Sequence, residues 1–242
     1  MIYFFSDVHL GLLSRAEDKI REELLLKFLD KIRNDCERLF IVGDLFDYWF
    51  EYKTVIPKYF FRTIHMLYEM RREGIEIEYV MGNHDFGHKD FFQSELDIYV
   101  HKDDIERELY GNKFYISHGD GKSHKDTGYK ILKKILRSPV SLKLFLTLHP
   151  DLGINLASGS SQKSRVYTDS KNYGKTDGMR DFAFDKIKSG YDYVIMGHRH
   201  RAEVSPYEHG YYINLGEWIN KPHFGALDKN EFRLIEVKDF LA

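Results

Sequence analysis

Short apolar runs alternate with amphipathic stretches along the first 120 residues. Ile2 to Phe5 is an apolar run stopped by Ser6-Asp7, which predicts a buried strand. Between Asp18 and Ile32 the residues Ile20, Leu24, Leu25, Phe28, Leu29 and Ile32 fall at helical spacing. Leu39 to Val42 predicts a second strand, ending at Gly43-Asp44. Pro57 through Arg72 predicts a helix, with proline at its start and Gly74 just past its end. Ile75 to Met81 predicts a third strand that runs into Gly82-Asn83. Three repeats of strand, polar loop and helix imply an α/β fold whose strands are largely buried on both faces.

The texture then changes. Phe114 to Ser117 is strand-like and leads into His118-Gly119-Asp120. After it, Tyr129, Leu132, Ile135, Leu136, Leu142, Leu144, Phe145, Leu146 and Leu148 follow a helical pattern that Pro139 and Pro150 break into pieces. From Gly178 a helix leads to a strand at Tyr193 to Met196, which ends at Gly197-His198. Alternating strands at Tyr211 to Leu215 and Glu231 to Val237 suggest an antiparallel component.

At 242 residues the chain suits one domain, 1–242, holding a helical insertion at 122–175. The single cysteine, Cys36, excludes a disulfide framework and a cysteine-based zinc site and fits a reducing compartment. With no secretory signal at the N-terminus and no apolar run near the ~20 residues that span a bilayer, the expected location is cytoplasmic. The net charge of −2 hides an asymmetry. Residues 122–175 carry eleven Lys/Arg against three acids, a local charge of +8, which leaves −10 on the rest. Such a basic segment points to an anionic partner, with a solvated face as the plain alternative. Its four aromatics, Tyr129, Phe145, Tyr167 and Tyr173, are too sparse for a stacking platform, so no nucleic-acid partner is expected.

The informative feature is how the strands stop. Five of them end in metal-capable side chains: Asp7-x-His9, Gly43-Asp44, Gly82-Asn83-His84-Asp85, His118, and Gly197-His198-Arg199-His200. In open α/β sheets the loops beyond the carboxyl ends of the strands form the active crevice. Carboxylate, amide and imidazole donors without a thiolate suit a hard-to-borderline divalent ion such as Mn²⁺. The glycines ahead of the donors let the backbone turn sharply.

This ordered set resembles the signature of the calcineurin-like metallophosphoesterase superfamily, from Asp7 to His200. The resemblance implies a four-layer α/β/β/α sandwich and two divalent cations, with Mn²⁺ expected. It places Asp7, His9 and His200 on one cation and Asn83, His118 and His198 on the other. Asp44 would bridge them with one carboxylate oxygen to each ion. His84 would face the substrate phosphate as a catalytic group, with Asp85 orienting it. Asp47 and Asp120 would support the site without ligating.

Gly43 through Trp49 and the insertion, from Asp126 and Tyr129 through Ser164 and Lys171, look like the UDP-2,3-diacylglucosamine diphosphatases of lipid A biosynthesis. That likeness implies cleavage at the α-phosphate of a sugar-nucleotide lipid, giving UMP and 2,3-diacylglucosamine 1-phosphate. It casts the insertion as a lid in peripheral contact with anionic membrane on its cytoplasmic face. Asp126, Tyr129, Ser164 and Lys171 would contact the substrate. Leu132, Ile135, Leu136, Phe145 and Leu146 would either line an acyl channel or pack the insertion on the core. Members of that group carry Arg after the Asn ligand, where this chain has His84. The alternative is therefore a related phosphodiesterase or phosphatase acting on another lipid-linked or nucleotide phosphate.

Overall fold

The computed structural model describes residues 1–122, 127–157, 159 and 178–242. Its strands are β1 (Ile2–Phe5), β2 (Arg38–Val42), β3 (Glu76–Val80), β4 (Tyr99–His101), β5 (Ile105–Leu109), β6 (Asn112–Ser117), β7 (Tyr193–Met196), β8 (Glu203–Tyr207), β9 (Gly210–Asn214), β10 (His223–Leu227) and β11 (Phe232–Glu236). Its helices are α1 (Arg15–Ile32), α2 (Phe61–Arg72), α3 (Phe91–Leu96), α4 (Thr127–Leu136), α5 (Pro139–Phe145), α6 (150–157), α7 (Gly178–Lys188) and α8 (Val237–Leu241). One sheet runs β11-β10-β1-β2-β3-β4 and the other β5-β6-β7-β9-β8. β1 to β4 are parallel, as are β6, β7 and β9, while β10, β11, β5 and β8 pair antiparallel at the flanks.

The alternation of side chains along each strand builds the layers. Ile2 and Phe4 of β1, Phe40 and Val42 of β2, Phe114 and Ile116 of β6 and Ile195 of β7 meet between the two sheets. The Phe4 ring stacks on Phe40 at 4.9 Å and on Phe114 across the interface at 6.1 Å. Their neighbours Tyr3, Phe5, Leu39 and Ile41 point the other way, onto Leu25, Phe28 and Leu29 of α1 and Leu67 of α2. Tyr115, Val194 and Met196 pack on Met179, Ala183 and Ile187 of α7. The result is the expected four-layer α/β/β/α sandwich, and the parallel strands of both sheets deliver their carboxyl ends to one edge.

Differences from the expected elements have local causes. α1 starts at Arg15, three residues early, because Ser14 and Glu17 form a reciprocal capping box ahead of the apolar stripe. The turn after Pro57 is a 3-10 turn (Lys58–Phe60), and α2 proper begins at Phe61. β4 has only three residues, too few to show a period. β5 and β6 close on Tyr110-Gly111, both at positive φ, the backbone of a tight hairpin turn.

The buried Glu51 ties the loop after β2 to α3. Its Oε2 accepts the backbone N–H groups of Lys89, Asp90 and Phe91, supplying the cap that Asp90 does not, and its Oε1 accepts Trp49 Nε1 at 2.9 Å. Burial pushes its carboxyl up, but the contacts with His88, Trp49 and the Phe91 N–H win and hold it down at about 2. A depressed carboxyl contributes stability above its unfolded value, near 4.5, and loses that contribution as pH falls through about 2. Glu51→Gln is therefore expected to cost roughly 2–3 kcal/mol at pH 7. In urea unfolding the gap between wild type and variant should close as pH falls from about 4.5 towards 2; a gap independent of pH would contradict the assignment.

Candidate metal centre

Backbone strain marks the site. Eight non-glycine residues among those described have positive φ, and five of them are Asp7, His9, Asp44, His198 and His200, at 51–68°. Left-handed backbone is uncommon for every residue but glycine, least so for Asn, Asp and His, and it clusters where a site needs a side chain turned inward. Each strand end here bends sharply and aims its donor into the crevice between the sheets. Arg21 supports this from α1: its Nη1 donates to the carbonyls of Val8 and His9, both at 2.9 Å. Asn214, at the end of β9, donates to the Gly197 carbonyl at 2.7 Å. The sequence reading missed both. The signal for Arg21 was a charge on the apolar face of α1, where it is buried.

Three groups of donors converge, each within 4.8 Å: Asp7, His9 and His200; His9, Asp44 and His84; and Asp7, Asp44 and His118. His200 Nε2 lies 3.3 Å from Asp7 Oδ1 and 3.2 Å from His9 Nε2. His118 Nε2 lies 3.2 Å from Asp44 Oδ2 and 3.0 Å from Asn83 Oδ1. His118 Nδ1 faces the Val42 carbonyl at 2.9 Å, which only an N–H can satisfy, so Nε2 is the nitrogen turned to the crevice. His198 donates its backbone N–H to Asp7 Oδ2 at 2.9 Å, and its ring stands edge-on to His118 with centroids 5.3 Å apart. It belongs to none of the three convergent groups among the described residues.

One expectation, that for Asp85, is corrected, and the surroundings of the two Asp44 oxygens differ. Asp44 Oδ2 faces both His118 and His9, the latter at 3.7 Å, while Oδ1 accepts the His84 N–H at 2.9 Å. Asp85 does not orient His84. Its buried carboxylate accepts Gly82 N–H at 2.8 Å, Leu45 N–H at 3.0 Å and the Tyr79 hydroxyl, which locks the β2 and β3 loops together. The carboxylate beside His84 is that of Asp47, whose Oδ1 is 3.5 Å from His84 Nδ1 and 3.3 Å from His9 Nδ1. Of the expected substrate contacts, Asp126, Ser164 and Lys171 lie outside the described residues, and Tyr129 is described only as part of α4. The apolar residues of the insertion divide. Phe145 and Leu146 pack on the core, Phe145 with its ring 4.3 Å from that of Phe50, whereas Leu132, Ile135 and Leu136 of α4 are exposed.

The electrostatics favour a cation. Burial raises the Asp7 carboxyl, but His200 and His9 hold it far below the usual range. Asp44 is likewise held down, against burial, by His118 and His84. Burial disfavours charge on His118, yet Asp44 and Asp7 push the ring up to about 10. His198 moves the other way, down to about 4, through burial and then the charge on His118. Without a metal, the carboxylates thus draw a proton onto one imidazole, the role a cation would take over. Asp7 Oδ1 is buried and accepts no hydrogen bond in the structure. Donors about 2.1 Å from a shared ion stand about 3 Å apart, close to the separations here. Two carboxylates, an amide oxygen and imidazoles fit a divalent ion.

Glycine spacing is as tight as the donors. Gly43 has φ +80°, the sharp turn expected of it. Gly82 is needed for room instead: a Cβ there would lie 2.0 Å from Asp44 Oδ1 and 2.4 Å from Asp44 N. Gly82→Ala is expected to cut metal content and to lower turnover by about 100-fold or more, at a cost of roughly 1–3 kcal/mol in stability. Gly128→Ala, where nothing lies within 4 Å of the added carbon, is the control and should be silent in metal analysis and turnover alike.

A family model described as calcineurin-like phosphoesterase matches residues 1–202. The chain is 31% identical to the UDP-2,3-diacylglucosamine hydrolase of Porphyromonas gingivalis over 98% of both chains. It is 28% identical to the enzyme of that name from Haemophilus influenzae, over 89% of this chain and 90% of the relative. Among solved structures, an archaeal phosphodiesterase superposes with a TM-score of 0.50 at 19% identity over 97% of this chain and 98% of the other. That likeness carries the fold alone.

Proposed function

The chain belongs to the calcineurin-like phosphoesterase family, and from that premise we propose that it hydrolyses UDP-2,3-diacylglucosamine at the α-phosphate. The products are UMP and 2,3-diacylglucosamine 1-phosphate. The observation that carries this reading is likeness over 98% of both chains to a hydrolase of that name. Physical support comes from the segment between β6 and α7. In α4, Ile131, Leu132, Ile135 and Leu136 are 48–58% exposed with the exposed Lys134 among them, so one helix offers apolar surface for acyl chains and charge for phosphate. We read residues 122–175 as a lid that contacts anionic membrane peripherally. No described helix is long and apolar enough to cross a bilayer.

In this reading Asp7, His9 and His200 would hold one divalent cation and Asn83, His118 and His198 a second, and Asp44 would serve both. When bound, the two cations, Mn²⁺ by our assignment, supply positive charge at the phosphate oxygens and acidify a water. The chain's own groups do the rest. Asp47 fixes the His9 and His84 rings from behind through their Nδ1 atoms, which leaves each Nε2 for the crevice. The Asp44–His84 N–H bond holds the His84 ring beside the bridging carboxylate. A water oxygen adds to the α-phosphorus while the bond from that phosphorus to the oxygen shared with the β-phosphate breaks; one water proton stays on the UMP phosphate and the other passes to the departing phosphate or to solvent. That leaving group is a phosphate monoester, acidic enough to depart without full protonation, so His84 serves mainly to stabilise developing charge.

The test is release of UMP from UDP-2,3-diacylglucosamine by Mn²⁺-loaded protein, compared with UDP-N-acetylglucosamine and bis(p-nitrophenyl) phosphate. The lipid substrate should be preferred. Faster turnover of the diester would favour the second reading, a phosphodiesterase for another lipid-linked or nucleotide phosphate, which His84 after Asn83 motivates.

A further inference from the structure

Lys133 and Arg137 stand one helical turn apart on α4 and its C-terminal edge, and both reach loops of the metal centre. Arg137 Nη2 donates to the Gly82 carbonyl at 2.6 Å and lies 3.4 Å from Asp120 Oδ2. Lys133 Nζ is 2.6 Å from the same Oδ2. Asp120 is buried, so two cations from the helix enclose a carboxylate that bulk water does not screen. The Arg137 guanidinium also lies over the Phe86 ring, 5.6 Å from its centroid. Gly82 immediately precedes Asn83, and Asp120 follows His118 by two residues. One guanidinium therefore joins the two loops that bring Asn83 Oδ1 and His118 Nε2 to 3.0 Å.

We propose that Arg137 is a positioning residue that couples docking of α4 to the Asn83–His118 half of the metal centre. This rests on reading Asn83 and His118 as cation ligands. Nη2 alone reaches both the carbonyl and the carboxylate, and the planar guanidinium lying over Phe86 holds it there. Coupling of this kind is reciprocal: a cation drawing Asn83 and His118 together steadies the loops that Arg137 grips, and a docked α4 holds those loops ready for the cation.

The test uses the full chain, stripped by chelator and then titrated with Mn²⁺ alone. Amide hydrogen exchange in α4 of the wild type should slow at least about fivefold when Mn²⁺ is added. In Arg137→Met that dependence should vanish, and calorimetry should show one Mn²⁺ binding event weakened about tenfold while another is unchanged. Arg137→Lys should fall between the two. Exchange in wild-type α4 that ignores Mn²⁺, a measurement needing no variant, overturns the proposal, as does wild-type Mn²⁺ affinity in Arg137→Met. No substrate is present, so absence of UMP release would strike the substrate assignment and leave this coupling standing. Asn83→Ala with unchanged Mn²⁺ binding would instead strike the ligand assignment on which the coupling rests.

Discussion

Asp44→Ala is expected to remain folded, to lose most bound metal and to turn over about 10³-fold or more below wild type. The size follows from what the one side chain touches. Its Oδ2 faces His118 at 3.2 Å and His9 at 3.7 Å, and its Oδ1 takes the His84 N–H, so its removal disorganises both halves of the centre at once. The variant also has a signature without metal. Asp44 is the main reason that the buried His118 ring titrates near 10. A histidine raised in this way contributes stability below its unfolded value, near 6.5, and loses that contribution as pH rises through about 10. Chelated wild type should therefore become less stable across that interval, and chelated Asp44→Ala should lose less, with only Asp7 and Asp120 left to favour the charged ring. Metal analysis, turnover and thermal unfolding against pH check the three parts. Full metal content in the variant would remove Asp44 from the centre of the account.

His84→Ala should behave differently, keeping its metal while turnover falls about 100-fold. The ring lies edge-on to His9, centroids 4.9 Å apart, and its Nδ1 is held by Asp47. Because the departing group is itself a phosphate, loss of a charge-stabilising imidazole should cost nearer 10² than the 10⁴ at the upper end for acid catalysis. The contrast with Asp44→Ala is diagnostic, since His84 also converges with His9 and Asp44 in one donor group. If the variant empties the site, His84 is a ligand and its catalytic role is wrong. Asp47→Asn should reproduce part of the loss, because it loosens two rings that share one carboxylate oxygen.

The strand ends and the donors they carry were legible because a buried strand and its terminal polar residue are both local features. Asp7, His9, Asp44, Asn83, His118 and His200 converge as their positions at the carboxyl ends of parallel strands suggested. The finer geometry was not local. Asp85 follows His84 in sequence, yet the turn swings its carboxylate back onto the Gly82 N–H, and the partner of His84 comes from the β2 loop instead. The need for glycine at 82 comes from a residue 38 positions away, Asp44, and no pattern within the β3 loop announces it. The apolar positions of the insertion share one helical spacing, but whether each faces the core or solvent depends on how α4 and α5 dock. Phe145 went to the core and Leu132 did not. Short elements such as β4 lacked the length to show any period.

The most direct test is hydrolysis of UDP-2,3-diacylglucosamine by Mn²⁺-loaded protein in ¹⁸O-water, with the products read by mass spectrometry. Attack at the α-phosphorus predicts UMP carrying one ¹⁸O and an unlabelled 2,3-diacylglucosamine 1-phosphate. Label in the lipid phosphate, or no UMP from protein shown to hold its metal, would contradict the account.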